Sequence, residues 1–240
     1  MPFQQLFLGT NRGIQFVGFN SLTATGSGVI TVSLNTLFDG ISSTPNPDDV
    51  VIVGAGTATS LSTRRGTISD ASYVQGAFNA SVSGSNCATQ AVFVKRFGDI
   101  PDSSVTVSFN TAAGDSISVM ASVWRNVLAD NVATDISIAA ATGFAAPNPP
   151  AVTPSTIGSV VVTMGTQSHI RGFCTFANTG YDLMFTAFDN SSRDISTGLG
   201  TLQWVAGSGT IDPPQYQYTS CSDNNAFRSV AHSLILRPRL

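Results

Sequence analysis

An aromatic residue followed by arginine is the motif in this sequence best suited to binding a sugar. The flat face of Trp124 can stack on a sugar ring, and the planar guanidinium of Arg125 can donate hydrogen bonds beside it. Alternation along residues 117–124 places Trp124 on a strand face with two serines, so the ring is either partly exposed or covered by another strand or subunit. In the structural alternative, Trp124 ends a core strand and Arg125 pairs with Asp130 or Asp135.

A second aromatic motif is a pair of tyrosines in a proline-led segment, residues 213–218. Tyr216 and Tyr218 are two residues apart, so an extended chain presents both rings on one side. Exposed tyrosines suit interfaces, and we favour a contact with protein over a contact with sugar. The alternative is a loop packed on its own domain.

Histidines and cysteines are too scattered to predict a metal or catalytic site. His169, Cys174, Cys221 and His232 occur in neither C-x-x-C nor H-x₃-H spacing, which zinc sites favour. A Ser/His/Asp triad has ample serine, but neither histidine has a local signature, and His232 alternates with apolar residues as a packed strand residue does. We therefore predict no catalytic, metal-binding or cofactor-binding residue, and no enzyme activity.

The acidic composition removes several enzyme classes. All 14 acidic residues are Asp, so H-E-x-x-H zinc sites, EF-hands with their closing Glu and glycosidases with two Glu are excluded. Lys95, the only lysine, is not preceded by glycine, which excludes a Walker A loop. The oxygen-rich residues 189–194 and 223–225 could hold calcium, but Asx-turns explain them equally well.

Charge and hydropathy limit the partners and the compartment. The net charge is −3, and basic residues are adjacent in sequence at only two places, Arg64-Arg65 and Lys95-Arg96. We therefore predict no nucleic-acid binding, which needs clustered basic residues. No apolar stretch is long enough for a membrane helix, and residues 1–8 lack the basic start of a signal peptide. For three scattered cysteines in a chain made in the cytosol we favour free thiols, with one disulfide as the alternative.

Residue usage predicts an all-β fold. Ser and Thr supply 56 of 240 residues, whereas Glu is absent and Lys occurs once. The chain therefore has few of the polar residues that favour exposed positions of a helix, and many that suit strands. About ten segments resemble strands separated by turn residues: 29–34, 50–53, 91–94, 105–109, 117–124, 136–141, 158–164, 183–188, 199–205 and 227–236. This pattern predicts a two-sheet antiparallel sandwich with a jelly-roll topology.

The chain divides into one domain and a short N-terminal part. Residues 26–240 carry the strand signals and form the predicted β-sandwich domain. Residues 1–25 are apolar but irregular, and we interpret them as an arm that anchors the protein to another subunit or as a first strand. The proline-rich residues 146–154 are best explained as a rigid connection between sheets.

The order of several short motifs resembles a group of bacteriophage and prophage proteins. The motifs are residues 48–53, 91–96 and 118–127, followed by the Pro149-Pro150 crossing and a last strand that closes on Leu236-Arg237-Pro238. The resemblance extends over residues 26–240 in order. It departs at Asn126, where the group usually has glycine.

The resemblance implies a concanavalin-like β-sandwich carried on a virion. The expected role is structural and non-enzymatic, as a tail, fibre or capsid-surface (decoration) component made in the host cytoplasm. Its expected partners are other virion proteins and copies of itself in a homo-oligomer. The alternative is a receptor-binding head of an adhesion device that recognises a host-surface glycan, and its candidate contacts are Trp124, Arg125, Tyr216 and Tyr218.

Overall fold

A computed structural model describes residues 13–26, 28–83, 86–143, 145–169, 174–189, 193–203, 209–221 and 228–239. The described residues form fifteen strands: β1 (Gln15–Thr25), β2 (Gly28–Ser33), β3 (Val50–Thr59), β4 (Gly66–Thr67), β5 (Val74–Ser83), β6 (Asn86–Arg96), β7 (Ser104–Phe109), β8 (Ser116–Arg125), β9 (Ser137–Gly143), β10 (Val160–Ser168), β11 (Cys174–Ala177), β12 (Leu183–Asp189), β13 (Ile195–Gln203), β14 (Gln217–Cys221) and β15 (Arg228–Leu236). Among them lies one short helix, α1 (Val132–Asp135), and no described helix is long and apolar enough to cross a membrane.

Two antiparallel five-stranded sheets form the centre of the protein. Sheet I has the order β1-β8-β3-β6-β5, and sheet II has the order β12-β13-β10-β15-β9. The apolar core between them contains residues such as Ile52, Trp124, Val162 and Leu234. The predicted all-β sandwich is therefore confirmed.

A smaller sheet lies against the outer face of each central sheet. The sheet β2-β7-β4 covers sheet I, and the core between them includes Val32, Val53, Val107 and Val119. The pair β11-β14 covers sheet II through the aromatic cluster around Tyr216. The structure thus has four layers, where the sequence predicted two sheets and about ten strands.

Burial on both faces explains the composition of the central strands. Strand β3 is buried at all ten positions, because alternate residues enter the cores on the two sides of sheet I. Such a strand needs small or β-branched apolar residues at every position rather than at every second one. The run Val50–Val53 was the sequence signal for this arrangement.

The first eight strands alternate between two packed sheets. The order β1-β8-β3-β6 lies opposite β2-β7-β4, and the chain crosses repeatedly between the two. Interleaving of this kind is typical of jelly rolls. Strands β9–β15 then add sheet II and its cover, so a jelly-roll description of the whole chain stays a prediction.

The N-terminal part of the described chain is a strand. Residues 15–25 pair with β8 along its full length, and Phe16 is buried in the central core. The first-strand alternative therefore holds for these residues, and the sandwich begins before residue 26. Residues 1–12, the remainder of the predicted arm, lie outside the described residues.

The turn after β8 has the geometry that glycine favours. Asn126 has a φ of +62°, in the left-handed region that asparagine tolerates better than most side chains. Its side-chain amide donates to the Gly13 carbonyl at 3.0 Å. Asparagine in place of the group's usual glycine thus keeps the left-handed backbone conformation, which both residue types can adopt.

Candidate functional site

Trp124 lies in the interior of the protein. Its indole is fully buried between sheets I and II, 5.0 Å from the ring of Phe16, and its Nε1 donates to Ser122 Oγ at 3.0 Å. The predicted face was right, and sheet II of the same chain covers it. Trp124 therefore has no surface with which to stack on a sugar.

Arg125 pairs with an aspartate that sequence reasoning missed. Its Nε and Nη2 donate to Oδ1 and Oδ2 of Asp49, each at 2.9 Å, and Asp49 is almost completely buried. The predicted partners, Asp130 and Asp135, pair with other arginines. Register explains the choice: Val50 lies opposite Trp124, so the residues flanking that pair, Asp49 and Arg125, are neighbours.

Two further arginines and two aspartates alternate around a closed ring of ion pairs at this end of the sheets. Arg96 contacts Asp48 at 2.7 Å and also pairs with Asp130, while Arg239 contacts the same two carboxylates at 3.6 and 3.3 Å. Each arginine in the ring is paired with both carboxylates. The ring therefore suits a structural role, linking the segments that carry its members, better than a role in binding an anion. The ring members are 48, 96, 130 and 239 in the sequence, so no local pattern could have revealed it.

The tyrosine pair lies against sheet II. Tyr216 is buried, and its hydroxyl lies 3.0 Å from Thr163 Oγ1. Tyr218 is partly buried and accepts a hydrogen bond from Gln167 Nε2. Both rings contact Phe176, as expected for residues on one side of an extended segment. The structure therefore agrees with the packed-loop alternative, and Tyr216 offers no exposed ring to a ligand.

Glycines on sheet II make room for these rings. A Cβ at Gly165 or Gly198 would lie 2.7 Å from Cε2 of Tyr216, and one at Gly200 would lie 2.7 Å from the ring of Tyr181. Burial raises the pKa of Tyr216 well above its ordinary value and that of Tyr218 to about 12. Both phenols therefore remain neutral and serve as packing and hydrogen-bonding groups.

The two histidines are separated and buried. His232 Nδ1 lies 2.8 Å from Gln90 Oε1, between sheets II and I, and His169 Nε2 lies 3.5 Å from Ser196 Oγ, at the outer limit of a hydrogen bond. Burial lowers the pKa of each imidazole to about 4. Within the described ranges, no three His, Cys or Asp residues gather in a way that could hold a metal ion.

The predicted oxygen-rich loops are only partly described. Asp189, at the end of β12, accepts a hydrogen bond from Thr25 Oγ1 at 2.9 Å. Residues 190–192 and 223–225 lie outside the described residues, so the calcium alternative for these loops stays a prediction.

Lys95 joins two loops beside a shallow surface groove. Its ammonium contacts Asp102 at 2.7 Å and Asp70 at 3.2 Å, and it lies 4.9 Å from the centre of the Tyr73 ring. The hydroxyl of Ser72, then its backbone N–H, and Lys95 lower the pKa of Asp70 to about 2. The lysine is neutralised by both carboxylates, which favours a structural role for this cluster.

The surface features with the clearest capacity for binding are the outer strands of the two central sheets. Sheet I ends at β1 and β5, and sheet II ends at β12 and β9. These four strands contain no lysine, arginine or proline, and their only charged residue is Asp189. Charged side chains and prolines are the usual protection of an edge strand against pairing with another molecule. None of these four strands has that protection, although residues 38–42 hydrogen-bond to part of the outer edge of β1.

Edges of the two sheets meet along one side of the sandwich. Thr23 Oγ1 in β1 donates to the Phe188 carbonyl in β12 at 3.3 Å. The large apolar side chains of Leu22 and Phe188 are 49% and 42% exposed there. Phe38 and Ile41, in the segment that hydrogen-bonds to β1, are also exposed. We call these four residues the β1/β12 surface.

The sequence matches no protein-family model and no curated protein.

Proposed function

We propose that this protein is a non-enzymatic structural component of a bacteriophage virion, and that it packs the outer strands of its central sheets against copies of itself and other virion proteins. The observation that carries the proposal is the lack of lysine, arginine and proline in β1, β5, β9 and β12. The phage assignment rests on the resemblance in motif order, and the packing role rests on these strands.

The backbone groups of the outer strands favour association with another molecule. An outer strand carries backbone N–H and C=O groups that pair readily with a strand of another molecule. Strand β9 has no fully buried residue and consists of Ser, Ile, Ala, Thr and Gly. Covering such a strand removes no ionised group from water, so desolvation costs little.

The β1/β12 surface adds an apolar contribution to this edge. Burying an exposed Leu or Phe side chain stabilises an association by about 1.5–3 kcal/mol when burial is complete. Leu22 and Phe188 lie on the outer strands β1 and β12, which the Thr23–Phe188 hydrogen bond joins, so a partner that packs along this edge meets both strands. We propose a second copy of this chain as that partner.

The use of charge within the chain supports the same interpretation. Arg96, Arg125, Arg237 and Lys95 all pair with aspartates that connect loops and strand ends. A protein with so few charged residues, many of them paired internally, has weakly ionic sheet edges. Such surfaces suit permanent packing in an assembly.

Occupancy in purified particles tests the role. Leu22→Lys places a cation on the edge strand, and we expect particles assembled with this variant to carry severalfold fewer copies of the protein than wild-type particles, measured by quantitative mass spectrometry. Ile100→Lys is the matched control, because Ile100 is 88% exposed in a loop outside the four outer strands. Equal occupancy of both variants and the wild type would reject packing through this edge.

A further inference from the structure

Two of the three cysteines lie directly opposite each other in the outermost layer. Strands β11 and β14 are antiparallel, and Cys174 pairs with Cys221 in their register. Directly opposed residues of an antiparallel pair have Cα atoms about 4.5 or 5.5 Å apart, depending on the type of pair. A disulfide requires a Cα separation of roughly 4.4–6.8 Å. Both types of pair therefore meet the backbone requirement.

We propose that Cys174 and Cys221 form a redox-controlled disulfide that fixes the β11-β14 pair over sheet II. This site goes beyond the proposed packing role and does not depend on it. It also departs from the sequence-based expectation of three free thiols, because that expectation had no information on strand register.

The β11-β14 pair is an element that a crosslink would stabilise. A two-stranded pair is only marginally stable by itself. Its register shifts between Thr175 and Phe176, one residue pair beyond the cysteine pair. Phe176 and Tyr218 are opposed in the same ladder, and their stacked rings lie 6.1 Å apart against sheet II. A covalent bond two pairs along the same ladder would hold these rings in their register against sheet II.

Thiol–disulfide exchange with a small-molecule disulfide such as oxidised glutathione forms the bond. One cysteine thiolate attacks the oxidant, which releases one glutathione thiolate and leaves a mixed disulfide. The second cysteine thiolate attacks the protein sulfur of that intermediate and releases the second glutathione. The two cysteine thiols lose two electrons and two protons, and two glutathione thiols gain them. A reducing cytosol reverses the reaction, and an oxidising exterior favours the bond.

Cys87 is an internal control for this chemistry. It is fully buried and lies opposite Thr59 in β3 and Val82 in β5, so its register brings no cysteine to it. Burial raises the pKa of the Cys87 thiol, which lowers the thiolate fraction available for exchange. We expect Cys87 to stay reduced under conditions that oxidise the other two.

Peptide mapping of the full-length protein tests the pairing directly. After equilibration with oxidised glutathione, thiol blocking and trypsin digestion without reductant, we expect peptides 172–193 and 194–228 to be joined, with a mass 2 Da below their sum. Cys87 should be recovered alone as a blocked thiol. Recovery of Cys174 and Cys221 as blocked thiols or glutathione adducts, or a link from either to Cys87, would overturn the proposal.

Thermal unfolding provides a second readout. The bond closes a loop of 48 residues, from 174 to 221. Loop closure of this size should raise the melting temperature by about 5–10 °C on oxidation in the wild type and in Cys87→Ser. Cys174→Ser and Cys221→Ser should show no such rise. Equal shifts in all four proteins, or none in the wild type, would contradict the proposal, and the peptide map decides if a variant fails to fold.

Discussion

The ring of Tyr216 occupies the space above Gly198 that any larger residue would need. A Cβ at Gly198 would lie 2.7 Å from Tyr216 Cε2 and 3.0 Å from Phe176 Cδ2. These rings, together with Tyr181, form the aromatic layer that the β11-β14 pair places on sheet II. The absence of a side chain at Gly198 thus lets the fourth layer dock.

Adding a methyl group at this position should displace that layer. We expect Gly198→Ala to lower the free energy of unfolding by about 1–3 kcal/mol, because overpacking forces the rings from their positions. Chemical denaturation with near-ultraviolet circular dichroism of the tyrosines measures both effects. Gly98→Ala is the control, since a Cβ there meets no atom within 4 Å. Equal stability of the two variants would be inconsistent with close packing at Gly198.

The buried carboxylate of Asp49 depends on Arg125. Replacing Arg125 with alanine leaves Asp49 almost completely buried without its bidentate partner, and we expect a loss of about 2–4 kcal/mol in unfolding free energy. Arg239→Ala removes exposed contacts in the nearby ring, and its effect should stay below about 1 kcal/mol. A loss for Arg125→Ala no larger than that for Arg239→Ala would refute a structural role for the buried pair.

Stability should fall as the pH drops from 6.5 towards 4. Burial lowers the pKa of His169 and His232 to about 4 in the folded state, whereas an unfolded histidine has a pKa near 6.5. In this window the unfolded chain binds more protons, so the free energy of unfolding decreases with decreasing pH. The loss should reach on the order of 3 kcal/mol per histidine by pH 4.

The structure around His232 explains why protonation is unfavourable. Its Nδ1 faces Gln90 Oε1, while its buried Nε2 has no hydrogen-bond partner among the described residues, so a second proton would have no acceptor. His232→Asn should reduce the slope of stability between pH 6.5 and 4 by about half, as measured by urea unfolding. An unaltered slope in this variant would exclude His232 as a contributor.

The fold class was predictable from the sequence because strand composition is a local property. The runs Val50–Val53 and 117–124 predicted strands and the correct faces, including the face shared by Trp124 and the two serines. The layers depend instead on long-range pairing. Strand β5 was missed because its glycine, alanine, asparagine and serine residues lack the usual strand signal.

The candidate site was harder to predict, since exposure is decided by what packs on each strand. Trp124 and Tyr216 have side chains that suit binding, but sheet II buries the first and the β11-β14 pair buries the second. Arg125 was assigned to aspartates near in sequence, although its partner Asp49 is 76 residues away. The unprotected edges became recognisable only when the strand order showed which strands are outermost.

Self-association through the β1/β12 surface is the central claim, and sedimentation equilibrium of the purified protein tests it most directly. We expect the wild type and Ile100→Lys to sediment as a multiple of the 24.9 kDa chain, and the double variant Leu22→Lys/Phe188→Lys to sediment at 24.9 kDa with an unchanged circular dichroism spectrum. A wild-type protein that remains at 24.9 kDa at all concentrations, or a double variant that associates as the wild type does, would contradict the claim.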